Sequence, residues 1–489
     1  MNEIVLTTLN ARYTHASFGL RYLRANLGPY RERSIIREFV IKRDPLEIAQ
    51  ELAALNPRLV GFGVYIWNTD QTLEVIRHLR GLLPNLLIVA GGPEISFETE
   101  TQPLFELVNY VFKGESDFTF RDFVADWIEN GRLPEKKIMG PKLPEIREIK
   151  LPYSEYTDED LKNRTLYVEA SRGCPYKCEY CLSSLDVSVR NFDTDQFLGE
   201  IQTLIDRGAR QFKFVDRTFN LSPTTSARIL QFFLDRIDLG MFLHFEMVPD
   251  RLPDELKDLI RKFPAGSLQF EIGIQTWNPE VARNVSRRQN YDKIRENLRF
   301  LHEETGVHTH ADLIVGLPGE TWDSFARGFN ALAELAPDEI QVGILKRLKG
   351  TPIVRHDQTF AMKYSTQTPF QVIENKDLSA EQILKLEIFA DFWGLVANSG
   401  RFPAYVQELR ERSGADQFFE VFFELSQVLF AWFGRTHSIH LRDLSEALGI
   451  PWGKADQRRG HTLVAIAATP AATPRRQHAH LQKRGLDPG

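Results

Sequence analysis

Short apolar runs alternating with helical patterns constrain this chain more than any other feature. Five such runs, at residues 4–7, 34–39, 59–63, 87–90 and 110–112, fall before residue 130. Each has the length of a strand buried on both faces of a parallel sheet. Helical patterns at 17–27, 45–55, 69–83, 103–108 and 118–129 lie between and after them. Asp44-Pro-Leu-Glu47 reads as an N-cap, a first-turn proline and a capping glutamate. Five βα units in this length predict a flavodoxin-like, doubly wound α/β domain over residues 1–130. Residues 131–160 carry Pro134, Pro141, Pro144 and Pro152 among scattered charges and read as a linker.

Six further runs follow, at 165–170, 211–215, 242–247, 268–274, 308–315 and 339–345. With helices at 194–207, 223–236, 254–262, 292–305 and 321–335 they predict a partial (β/α)6 barrel over 161–352. From 353 to 452 the pattern becomes helical and aromatic, with Phe389, Phe392, Trp393, Phe418, Phe419, Phe422, Phe423, Phe430, Trp432 and Phe433 at helical spacings that read as core. Such a region could cover the barrel mouth. Residues 453–489 are rich in Ala, Pro, Arg and His without periodicity and read as a disordered tail.

Open α/β sheets bind ligands beyond the carboxyl ends of their strands. In the first domain those ends carry residues 8–15, then Tyr65, Asn68 and Thr69, then Gly91, Gly92, Pro93 and Glu94, then Gly114 and Glu115. Glycines there permit close approach of a ligand to the backbone, although a Gly-Gly after a strand also serves turn geometry alone. In the second series Asp216, Glu246, Glu271, Gln275, Asp312 and Gly316 end or follow strands. Strand alternation sends Glu271 and Gln275 to one face. Glu320-Thr321 opens a helix and serves equally as a cap or a ligand contact.

All three cysteines of the chain, Cys174, Cys178 and Cys181, fall in Ser171-Arg-Gly-Cys-Pro-Tyr-Lys-Cys-Glu-Tyr-Cys181, directly after the first strand of the second series. Three thiolates fall one short of a closed tetrahedral zinc site or a fully ligated cubane. That shortfall points to a four-iron cluster with one iron open. The competing readings are a zinc knuckle completed by a histidine and a chance grouping of structural thiols. No histidine lies within twenty residues of the triplet.

The Cys-x3-Cys-x2-Cys spacing, the Arg-Gly-Cys-Pro lead-in and Tyr180 resemble the radical SAM (S-adenosylmethionine) superfamily. The segment from Glu271 through Gly-Ile-Gln-Thr276, an arginine at 287 or 288 and Ile-Val-Gly-Leu-Pro-Gly-Glu-Thr321 is similar to the same superfamily. A flavodoxin-like unit ahead of the cysteine loop, with Val89-Ala-Gly-Gly-Pro93 and Lys113-Gly-Glu-Ser-Asp-Phe-Thr-Phe120, resembles its cobalamin-binding class. The resemblance implies a [4Fe-4S] cluster on the three cysteines, SAM on the open iron, and cobalamin at Tyr65, Asn68, Thr69, Gly91–Glu94, Gly114 and Glu115. It implies SAM contacts at Tyr180, Asp216, Glu246, Glu271, Gln275, Arg287, Ile314 and Gly316, with Ile314 against adenine. The cofactors would carry the hard chemistry, and the protein would bind and orient them. Tyr13-Thr-His-Ala-Ser-Phe18 departs from the Asp-x-His-x-x-Gly segment that supplies an axial cobalt ligand. His15 is therefore read as a loop histidine or a substrate contact.

Bulk composition agrees with a cytoplasmic enzyme: 43% apolar, 26% charged and a net charge of −6 give no reason to expect nucleic-acid binding. No apolar run of membrane-spanning length exists, and residues 1–7 lack an export signal. Expected partners are a small-molecule substrate and an electron donor such as a flavodoxin or ferredoxin. The leading expectation is methylation of an unreactive carbon. The alternatives are a cobalamin-associated cyclase or oxidase, a methylthiotransferase-like enzyme, and a non-catalytic metal-binding interaction protein. The sequence does not name the catalytic residues or the substrate.

Overall fold

A computed structural model describes residues 3–143 and 145–450, so the tail expected at 453–489 lies outside the described residues. The chain forms two compact units. One runs from the amino terminus through Lys177 and adds Cys181–Phe245 and Leu348–Thr351; the other takes Cys178–Tyr180, Glu246–Arg347 and the chain from Pro352 onward.

The first unit opens with a six-stranded parallel sheet: β1 Ile4–Asn10, β2 Ser34–Val40, β3 Leu59–Gly63, β4 Leu87–Gly91, β5 Tyr110–Phe112 and β6 Ile138–Met139. Its order, β2-β1-β3-β4-β5-β6, is the flavodoxin-like order with one strand added. That added strand arises inside the expected linker: Val111 stands in register with Ile138, and two residues of pairing are too short to leave a pattern. Every residue of β1 is buried, because alternate side chains enter different cores. Val5 and Leu9 pack with Phe39, Ile48 and Leu52. Ile4 and Leu6 pack with Leu20, Phe120 and Phe123.

Helices α1 Phe18–Ala25, α2 Pro45–Ala54, α3 Thr69–Leu82, α4 Pro103–Leu107 and α5 Asp117–Asn130 connect these strands. Asp44 caps α2 by accepting from the Leu46 and Glu47 amides at 2.9 and 3.1 Å. Glu47 does not act as the expected capping glutamate; its carboxylate stands 3.7 Å from Arg43. Gly131, at φ 62°, ends α5 in the left-handed conformation that glycine adopts without strain.

The same unit then forms β7 Leu166–Val168, β8 Ser171–Arg172, β9 Arg190–Asn191 and β10 Gln211–Phe214, and begins β11 Phe242–Met247. β7, β10 and β11 pair in parallel. β8 and β9 form an antiparallel ladder of two residue pairs at the root of the cysteine loop.

In the second unit β12 Leu268–Gln275, β13 His308–Val315 and β14 Glu339–Ile344 pair in parallel, flanked by α11 Tyr291–Glu304 and α12 Trp322–Glu334. β12 and β13 alternate buried and half-buried residues, so one face is sealed and the other stays partly open. The region after 352 is not helical from its start: β15 Lys363–Tyr364 and β16 Val372–Glu374 pair before α13 Ala380–Trp393 begins. Phe329 of α12 meets Phe389, Trp393 and Phe419 at ring distances of 5.1, 4.9 and 5.7 Å, which makes these rings a packed core, whereas Trp432, expected among them, is 72% exposed. The Asn398 amide pairs with both backbone groups of Ile340 and covers the free edge of β14. Among the described residues no helix is long and apolar enough to cross a membrane.

Candidate cofactor sites

The cysteine loop is held at its root by backbone geometry. Gly173 has φ 92°, and a Cβ there would collide with the Ser188 carbonyl, so only glycine lets the two arms pass. The Cys174 amide donates to the Asp186 carbonyl at 2.9 Å. Cys174 and Cys178 are buried, Cys181 is half-buried, and all three are free thiols. Among the described residues no three His, Cys, Asp or Glu side chains are already gathered as a metal cage.

Asp216, expected at the SAM site, is buried and turned to this root. It accepts from the Ala170 amide at 3.0 Å and the Ser171 hydroxyl at 2.6 Å. Burial pushes its carboxyl up to about 7, against the downward pull of those two donors.

In the second unit Arg287 gathers several expected residues. Its guanidinium donates to Cys178 Sγ at 3.5 Å, to the Tyr180 hydroxyl at 3.3 Å, to Gln289 at 3.0 Å and to the Gly273 carbonyl. Burial alone would lower its pKa; the Tyr180 and Cys178 side chains more than reverse that and hold it raised. Gln275 sits at φ 71° where the β12 register shifts, so a bulge re-aims it away from the simple alternation with Glu271. A Cβ on Gly273 would lie 2.6 Å from Gln275 Nε2 and 3.4 Å from Arg287, so a larger residue there would displace the ends of both side chains. Glu246, Glu271 and Ile314 are half-buried on their strands. Gly316 has φ 87° and no room for a Cβ beside Val372.

Sequence reasoning missed two groups here. Glu179, inside the cysteine loop, is buried and accepts from His356 at 2.8 Å, from Ser286 and from Arg355. On the half-open sheet face, His308 pairs with Glu339 at 2.9 Å, and His310 lies 3.3 Å from Asp312. The Glu339 hydrogen bond pushes the His308 pKa up. His310 and Asp312 are two residues apart on one strand, a spacing that could have drawn notice; Glu179 and His356 are 177 positions apart and could not.

At the strand ends of the first sheet lies a largely apolar cavity of about 270 Å³. Tyr65, Gly91, Gly92, Gly114 and Glu115, all expected there, line it with Phe18, Tyr22 and Arg172. Gly92 has φ 109° and would place a Cβ 2.5 Å from the Val64 carbonyl, so its first duty is the turn itself. Asn68, Thr69 and Glu94 are instead spent internally. The Asn68 amide bonds Thr8, Leu9 and Gly63 and accepts from the Tyr65 amide at 2.8 Å. Thr69 donates to the Tyr65 carbonyl, and buried Glu94 pairs with Lys349. Pro93 is half-buried in the same turn. Trp67, within the strand-end stretch 65–69, is 47% exposed and lies flat on Tyr65 at 4.5 Å. His15 shares a 2.6 Å hydrogen bond with the Tyr167 hydroxyl, which engages it within the fold.

The B12 binding domain family matches residues 4–124, and the Radical SAM superfamily matches 168–331. The chain carries a B12-binding domain over its amino-terminal part and a radical SAM domain after it. Residues 358–441 match a protein family of unknown function. The cobalamin-dependent radical SAM methyltransferase TokK of Streptomyces tokunonensis is 24% identical over 60% of this chain, and the match spans 48% of TokK, about half its length. An uncharacterized methyltransferase of Pyrococcus horikoshii is 24% identical over 76% of this chain and 86% of its own. In fold, the enzyme is similar to the radical SAM methyltransferase TsrM from Kitasatospora setae, with TM-score 0.61, 18% identity and coverage of 75% and 79%. It is also similar to the cobalamin-dependent enzyme OxsB, with TM-score 0.60, 14% identity and coverage of 91% and 75%.

Membership implies a [4Fe-4S] cluster, SAM and cobalamin. The donor sets fit: three free thiols leave one cluster iron open, and the apolar cavity at glycine-lined strand ends suits part of a large flat cofactor.

Proposed function

We propose that this enzyme is a cobalamin-dependent methyltransferase acting on an unreactive carbon of a small-molecule substrate. A flavodoxin or ferredoxin would supply its electrons. The observation that carries the reading is that one compact unit contains both the apolar strand-end cavity and the root of the cysteine loop, with Arg172 belonging to each. The names of the TokK and Pyrococcus relatives support methyl transfer. Methylthiotransfer fits less well, because all three cysteines lie on one loop and none is left for a second cluster.

Cys174, Cys178 and Cys181 would hold the cluster. Tyr180, Gln275, Arg287, Ile314 and Gly316, with Glu246 and Glu271, are the candidate SAM contacts, while Asp216 orients Ser171 at the loop root. Tyr65, Gly91, Gly92, Gly114 and Glu115 would face the corrinoid. The bound cofactors would supply the adenosyl radical and the methyl donor; the chain's own part is to hold them in register and exclude water. Methyl transfer consumes SAM in two ways, so substrate turnover should yield both 5′-deoxyadenosine and S-adenosylhomocysteine. Accumulation of 5′-deoxyadenosine alone with the true substrate would replace this reading with a cyclase or oxidase.

A further inference from the structure

Arg172 immediately precedes Gly173 and Cys174, yet its guanidinium is committed to the B12-binding domain. Its side chain is 11% exposed. Nη1 donates to Glu115 at 2.9 Å and to Asp117 at 3.1 Å, and Nε donates to Glu169 at 2.8 Å. The guanidinium carbon lies 4.3 Å over the Tyr22 ring. Glu115 also takes Arg190, on the returning arm of the loop. Arg190 reaches Asp186 at 3.1 Å, and the Asp186 carbonyl accepts the Cys174 amide. Glu115 therefore grips both arms of the cysteine loop.

The same groups form a wall of the strand-end cavity: Tyr22, Glu115, Asp117, Glu169 and Arg172 all line it. An occupant there displaces water from beside these ion pairs. Lower local dielectric strengthens opposite-charge attraction, and with it the hold on the loop. A loop fixed by its metal in turn holds Arg172 in place as one side of the cavity, so less ordering is needed when that cavity fills.

We infer that Arg172 is a positioning residue that couples the two sites, so that corrinoid in the cavity and metal on the cysteine loop each strengthen binding of the other. This rests on the reading of the cavity as a corrinoid site. Coupling between binding sites is reciprocal, and its usual size is on the order of tenfold in affinity.

Hydroxocobalamin titrated under anaerobic conditions, followed by its absorption, tests this on the whole chain. Cluster-reconstituted protein should bind on the order of tenfold more tightly than iron-free, chelator-treated protein. In Arg172→Gln the two forms should bind alike. A purely structural arginine would weaken both forms and leave their ratio intact, and that outcome would overturn the inference. Glu115→Gln leaves the loop sequence untouched and should also collapse the ratio, so it decides the matter if Arg172→Gln does not fold. Equal affinities in the unaltered protein would refute coupling while keeping the corrinoid site. Absence of hydroxocobalamin binding in both forms would remove the corrinoid reading itself.

Discussion

Arg287 and Cys178 stand 3.5 Å apart, guanidinium nitrogen to thiol sulfur, and the same arginine is hydrogen-bonded to the carbonyl of Gly273 on a barrel strand. A half-buried cation is thereby fixed between the middle cysteine and β12, and the fork of the guanidinium is what reaches several acceptors at once.

Arg287→Met should therefore weaken the cluster as well as the fold. It takes the arginine donor from the half-buried Gly273 carbonyl, a loss of roughly 1–3 kcal/mol. Iron should leave the reconstituted variant faster in a chelator challenge, with Arg287→Lys intermediate because an ammonium lacks the planar fork. Iron release at the unaltered rate in the Met variant would show that Arg287 does not support the site. Alanine at Cys174, Cys178 or Cys181 should prevent full loading outright, since no spare thiol exists.

Glu179 makes a second claim on the same loop. Its carboxylate is buried against His356 and Ser286, with Arg355 reaching in from the surface. Removing one partner of a buried charged cluster costs about 3 kcal/mol. Glu179→Ala should lower the urea midpoint and loosen the loop, while Glu179→Gln, which keeps one acceptor oxygen, should recover part of the loss. Equal midpoints for Ala and Gln would mean that the hydrogen bonds contribute little.

Much of this architecture could be read in the sequence because strands buried on both faces must be continuously apolar. β1, β3 and β4 are visible for that reason, and the three cysteines draw notice by spacing alone. What stayed hidden depends on distant or very short pairing. β6 has two residues, Glu179 meets a histidine from the far end of the barrel region, and Lys349 returns to Glu94. Polarity at a strand end also does not reveal which way a side chain turns. Asn68 and Glu94 were expected at a ligand; Asn68 is instead spent on its own turn and on β1, and Glu94 on Lys349, whereas Glu115 lines the cavity.

His15 offers a test of the corrinoid's lower face. Its ring is engaged by Tyr167, and burial, with Arg12 and Lys213 nearby, lowers its pKa. The bond to Tyr167 engages Nδ1 alone, but His15 does not line the strand-end cavity and its segment lacks the Asp-x-His-x-x-Gly pattern, so it is not expected to ligate cobalt. The absorption spectrum of corrinoid bound to His15→Ala should match that of the unaltered protein. A shift in the cobalt-sensitive bands on substitution would assign His15 to the metal after all.

Asp216 sets a pH dependence that can be read without any cofactor. Burial is the largest influence on this carboxyl and raises it from 3.8 to about 7. The Ser171 hydroxyl and Ala170 amide oppose that rise, and Glu169 adds to it. An acid whose folded pKa exceeds its unfolded value binds more protons when folded, over the interval between the two. Stability therefore falls as pH rises from about 4 to about 7, with a slope of up to about 1.4 kcal/mol per pH unit from this one group. Asp216→Asn cannot titrate, yet keeps an oxygen for the Ser171 hydroxyl. Urea midpoints of iron-free protein, taken at pH 5 and pH 7, should fall with rising pH more steeply for the unaltered chain than for the variant. Other titrating groups act alike in both proteins and cancel in the comparison. Parallel pH profiles would mean that Asp216 stays ionised across this range, and that the donors at Ala170 and Ser171 outweigh its burial.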